Sequence, residues 1–151
     1  MLPVVALLPL LCGYAISSWI WCSDYHQHVD GRTYERLSKR AAIFTVVRHL
    51  VSRGHSPEHI AAAVPWRQKS MFRGAEGTLG PAEFIARQKL DSANGGRRFE
   101  EHRFYCDEGE LLHFGGKSFA FTNQWGNRCI QAIERLIAAF PEEPISCRVS
   151  E

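Results

Sequence analysis

Between Ser38 and Pro65 the chain carries two sets of helix start and stop signals in immediate succession. They leave little freedom for anything but a helical pair. Ser38 stands as an N-cap before Ile43, Phe44, Val47, Leu50 and Val51, which recur at helical period and form one apolar stripe. Gly54 then supplies a C-terminal stop. Ser56-Pro57-Glu58 restarts a helix at once, with a capping hydroxyl, a proline at the first helical position and an acid in the first turn. Val64-Pro65 closes it, because a residue before proline resists helical dihedrals. The next stretch, Arg67-Gln68-Lys69-Ser70-Met71-Phe72-Arg73, reads as a third short helix or as an extended strand. As a helix it completes a helix-turn-helix-like unit that presents Arg67, Gln68, Lys69, Ser70 and Arg73 to a major groove or to phosphates.

The flanking sequence predicts β-structure. Asp30-Gly31 favours a tight type I′ turn, with Tyr25, Val29 and Tyr34 on the buried face of its hairpin. Gly74, Gly77 and Gly80 mark a loop, and Pro81 opens a helix anchored by Phe84, Ile85 and Leu90. Asn94-Gly95-Gly96 breaks it. Three short strands follow, His102 to Cys106, Glu110 to Phe114 and Lys117 to Phe121, the last two joined at Gly115-Gly116. Thr122 or Asn123 caps a final helix from Trp125 to Ala139 with Ile130, Ile133, Leu136, Ile137 and Phe140 inside. The expected fold is α+β: a small domain of β-hairpin, helix-turn-helix-like segment, second short antiparallel sheet and C-terminal helix. It is expected to span 24–140, with 141–151 as a tail.

Charge is unevenly placed. From Gly31 to Arg73 there are nine Lys or Arg against Glu35 and Glu58, a local charge of +7 in a chain whose total is +2. Such asymmetry implies a surface that meets a polyanion. Residues 1–23 carry no charge before Asp24. That leader is long enough to span a bilayer, yet Pro3 and Pro9 interrupt it and no Lys or Arg precedes it, so anchor, signal and non-native start all stand as readings. Five scattered cysteines without a C-x-x-C pair imply reduced, mostly buried thiols and a cytoplasmic protein, with membrane anchoring through the leader as the alternative.

No catalytic constellation emerges. His55 and His59 have the spacing of helical metal ligands, but no clustered Cys or acid follows them and His55 precedes the N-cap, so no metal site and no cofactor are assigned. His113 before Gly115-Gly116 has the placement of a ββα-metal nuclease histidine, but Asn127-Arg128-Cys129-Ile130-Gln131 supplies no clear second ligand. No P-loop, G-x-S-x-G or G-x-G-x-x-G is present.

From Asp24 to Phe140 the chain resembles the carboxy-terminal region of bacterial restriction-endonuclease-like proteins. The resemblance is carried by Asp30 to Arg40, Ser56-Pro57-Glu58-His59-Ile60, Pro65-Trp66-Arg67, Met71-Phe72-Arg73, Tyr105-Cys106-Asp107, and Gly116-Lys117 with Asn123-Gln124-Trp125-Gly126. It implies an accessory region of a DNA-acting protein, separated from a nuclease domain that is not present in this sequence. The resulting expectation is a non-catalytic DNA-binding module that contacts phosphate through Arg36, Lys39, Arg40, Arg67, Gln68, Lys69 and Arg73. A membrane-tethered or protein-interaction domain is the alternative, and a remnant metal-dependent nuclease at His113 the second.

Overall fold

The computed structural model describes residues 25–150; the expectations for the leader, including Cys12 and Cys22, lie outside the described residues. The domain is α+β, as its patterning predicts. Strands β1 (Tyr25–Val29) and β2 (Arg32–Leu37) form the first hairpin. Asp30 and Gly31 both take positive φ, 49° and 78°, as a type I′ turn requires. Pairing runs from Val29↔Arg32 to Gln27↔Tyr34 and then slips to Tyr25↔Leu37. The extra residue makes a bulge in which Arg36 sits at φ 58°.

Helix α1 (Lys39–Ser52) begins where Ser38 Oγ accepts the Ala41 N–H at 3.3 Å. Helix α2 (Pro57–Ala62) begins where Ser56 Oγ accepts the His59 N–H at 3.1 Å. Beyond Pro65 the helix-turn-helix expectation fails. Pro65–Arg67 is a single 3-10 turn, and Phe72–Glu76 forms strand β3. Seven residues containing no strong helix nucleus lose to a strand that pairs at five positions with β6 (Lys117–Thr122). Met71 is fully buried, and Phe72 lies 5.4 Å from the Phe121 ring, contacts that a helix projecting into solvent would forfeit. Gly74, expected in a loop, belongs to β3.

Helix α3 (Pro81–Ala93) is followed by β4 (Phe104–Tyr105), β5 (Leu112–Phe114), β6, α4 (Cys129–Ala139) and β7 (Ile145–Val149). One sheet has the order β2-β1-β7; the other has β3-β6-β4, with β5 also on β6. The expected tail is thus corrected: β7 pairs along all of β1, from Tyr25↔Val149 to Val29↔Ile145. The last helix starts at Cys129, not Trp125. Thr122 ends a strand, and the Trp125 indole N–H donates to its carbonyl at 2.9 Å, which holds the indole against the sheet. Leu90, expected as an anchor, is exposed.

Strand β6 is covered on both faces, which is why five of its six residues are buried. Alternation sends Phe119 and Phe121 into the main core with Phe44, Leu50, Ile133 and Leu136, and sends Ala120 into a smaller core with Phe84, Phe99 and Cys106. The small core fixes α3 and the segment that follows it, and that placement builds the site.

Candidate nucleic-acid interface

Helix α3 stops in a tight reversal. Gly95, at φ 88°, donates to Ser92 O, and Gly96 donates to Asp91 O at 2.8 Å, the paired bonds of a left-handed helix stop. At Gly96 a Cβ would lie 2.5 Å from the Asp91 carbonyl oxygen, so no other residue fits without moving backbone. Phe99 then plugs into the small core 6.3 Å from the Phe84 ring. Between these two fixed points Arg97 and Arg98 are laid along the start of β3. Gly96→Ala is expected to destabilise the fold by about 1–3 kcal/mol through overpacking and to weaken anion binding with no change of charge. A urea titration and a phosphate-ligand titration on that variant check it.

Five arginines meet there. Arg67, Arg73, Arg97, Arg98 and Arg103 line one cleft of about 170 Å³, with Glu100 as its single carboxylate. The Arg73 guanidinium donates to Arg98 O at 2.8 Å and Arg97 O at 2.9 Å, and lies over the Phe99 ring. Arg97 donates to Lys69 O, and Arg67 donates to Gln124 O at 2.8 Å while lying 4.8 Å over Trp125. Glu100 pairs with Arg103 at 3.0 Å and Arg98 at 3.3 Å. The neighbouring Glu101 is drawn away to Lys89 at 3.3 Å.

Arg67 and Arg73 therefore direct their hydrogen bonds to carbonyls, and among the described residues neither makes an ion pair with a carboxylate. Burial, and then Arg103, hold the Arg67 guanidinium below the ordinary arginine range. Burial and then Arg97 do the same to Arg73, with Asp91 opposing. Arg67 Nε is buried with no hydrogen-bond partner among the described residues. Crowded, partly desolvated like charges with a donor left over form an environment that an anion stabilises.

Basic and aromatic groups continue on the other side of Arg67. Trp66 has the Arg128 guanidinium 3.8 Å from its ring centroid and that of Arg135 at 5.8 Å. The loop that carries Trp125 beneath Arg67 also delivers Arg128 to Trp66, so the two arginine–indole pairs interlock.

The residues expected from sequence are divided by this geometry. Arg67 and Arg73 are in the cleft, and Gln68 and Lys69 lie exposed on the turn beside it. Arg36, Lys39 and Arg40 are not among its lining. Arg36 is in the β2 bulge, while Lys39 and Arg40 open α1, where a helix dipole disfavours cations. Arg48 packs over Phe44 and bonds Gly109 O, and Arg53 pairs with Glu143 at 3.4 Å. Of the nine basic residues from Gly31 to Arg73, only Arg67 and Arg73 line the cleft.

Compared with known proteins, the chain matches no family model, no curated protein and no solved structure. Its function therefore rests on the site's own chemistry. Sequence reasoning missed Arg97, Arg98 and Arg103. The available signal was an Arg-Arg pair set directly after the Asn94-Gly95-Gly96 reversal, masked in any running charge count by Glu100 and Glu101.

The remaining candidates lead elsewhere. His113 is exposed and its Nδ1 lies 3.0 Å from Ser118 Oγ; it belongs to no metal-ligating group of three among the described residues. Cys106, Cys129 and Cys147 are free thiols. Burial pushes Cys129 up to about 12 and Cys106 up to about 11, which keeps both protonated at neutral pH. No helix among the described residues is long and apolar enough to cross a membrane.

Proposed function

We propose that this protein is a nucleic-acid-binding module that grips phosphate in the cleft formed by Arg67, Arg73, Arg97, Arg98 and Arg103. The observation that carries the reading is five arginines, with Glu100 as the one carboxylate beside them, among the residues that line one hollow. Guanidinium matches phosphate in two-pronged geometry, and partial desolvation strengthens each contact. The interlocked Arg67–Trp125 and Arg128–Trp66 pairs extend the cationic surface beyond one phosphate, as a polymer requires and a lone small anion does not. The indoles of Trp66 and Trp125, themselves packed on the core, support these arginines from beneath. We further propose DNA as the polymer and an accessory role without catalysis of its own, an expectation taken from the sequence resemblance alone.

The test is an anisotropy titration of the full chain against labelled duplex and single-stranded DNA at a series of salt concentrations. Each neutralised duplex phosphate adds about 0.9 to the steepness of log K against log salt, so three to five contacts give a slope of about −2.7 to −4.5. Absence of binding at low salt, or binding indifferent to salt, rejects the reading. Duplex and single strand are distinguished in the same experiment by which oligonucleotide binds more tightly.

A further inference from the structure

A second cluster, independent of the arginine cleft, is built around the one carboxylate buried among the described residues. Glu143 follows α4 closely, donates its N–H to Phe140 O, and has only 5% of its side chain exposed. Its two oxygens have different surroundings. His49 Nε2, 3.0 Å away, and Arg53 Nε, 3.4 Å away, hold Oε2 from α1 and its C-cap. Oε1 instead faces His55 Nε2 at 3.1 Å, and Glu142 Oε1 stands 3.7 Å from the same nitrogen.

These distances suit an ion. Two ligand atoms bound at about 2.1 Å to a tetrahedral cation stand about 3.4 Å apart. The observed 3.1 and 3.7 Å straddle that value, and the ligand atoms of His55, Glu142 and Glu143 all lie within 4.8 Å of one another. The ligands are also held in place. The His55 ring packs 4.5 Å from the buried Phe140 ring, and His49 and Arg53 fix the outer oxygen of Glu143, as supporting partners of a ligating carboxylate do. Glu142, with 60% of its side chain exposed, leaves one side open to solvent, with room for water as a further ligand. We propose that His55, Glu142 and Glu143 form a three-ligand site for a divalent transition-metal ion of the zinc class, with His49 and Arg53 positioning Glu143. One imidazole with two carboxylates favours such ions over calcium or magnesium, which take oxygen ligands alone. His55 and Glu143 are 88 positions apart in the chain, so spacing rules read along the sequence do not find them together.

Zinc titrated calorimetrically into the chelator-stripped full chain tests the site, with Co²⁺ absorption as a report of ligand geometry. One ion per chain is expected. His55→Asn and Glu142→Gln are each expected to weaken binding about tenfold or more. Glu142 is exposed, so its variant keeps the fold even if His55→Asn does not. His59→Asn, which alters a ring packed on the same Phe140, is expected to leave affinity unchanged. The proposal is overturned if the wild type takes up no zinc, if Glu142→Gln and His55→Asn bind as the wild type does, or if His59→Asn costs as much as His55→Asn.

Discussion

Replacing Phe121 by alanine is expected to lower the stability of the domain by about 3–5 kcal/mol, the range for removing a fully buried aromatic side chain. Phe121 is inaccessible to solvent. Its ring meets Phe72 at 5.4 Å, Trp125 at 5.6 Å, Phe44 at 5.8 Å and Tyr105 at 6.4 Å. Those partners come from β3, the loop before α4, α1 and β4, so the cavity left behind borders elements that cannot all collapse together. The loss also reaches the cleft, because Trp125 supports Arg67. Denaturant unfolding of Phe121→Ala beside the wild type measures the first effect. A loss below about 1 kcal/mol is too small for a fully packed ring and rejects this account of the core.

The elements with strong local signals were legible in the sequence. Asp30-Gly31, Ser38, Gly54, Ser56-Pro57 and Asn94-Gly95-Gly96 each fix backbone geometry through chemistry confined to a few residues, and each stands where its chemistry predicts. Strand β3 was legible only as one of two options, because Met71-Phe72-Arg73-Gly74 has no periodicity of its own and takes its conformation from a partner strand more than 40 positions later. Strand β7 is short and rests on β1 from the opposite end of the domain, so its pairing leaves no local trace. The site failed for a related reason. Summing charge along the chain weighs neighbours in sequence, whereas the cleft sums neighbours in space. That difference brought in Arg97, Arg98 and Arg103, left out Arg36, Lys39 and Arg40, and sent Arg53 to Glu143.

Reversing two of the cleft's charges, Arg67→Glu with Arg73→Glu, is expected to weaken DNA binding at least about a hundredfold and to flatten the salt slope by about 1.8, twice the counterion release of one phosphate contact. The lining of five arginines and one glutamate carries a formal charge of +4, and the double variant brings it to zero. Both side chains also donate to main-chain carbonyls at Gln124, Arg97 and Arg98, bonds that glutamate cannot make, so loss of binding alone would leave damage to the fold as an explanation. Two further proteins separate the causes. Arg67→Lys with Arg73→Lys keeps the charge but loses the two-pronged geometry, and its affinity is expected to fall between those of the wild type and the glutamate variant. Lys39→Glu with Arg40→Glu changes the total charge by the same amount at the start of α1, where acids suit the helix dipole, and each substitution should add about 0.3–1 kcal/mol of stability. Its DNA affinity should fall only a few-fold, through long-range potential that salt screens. If this control loses as much as the cleft variant, binding follows total charge and the five arginines have no special place in it.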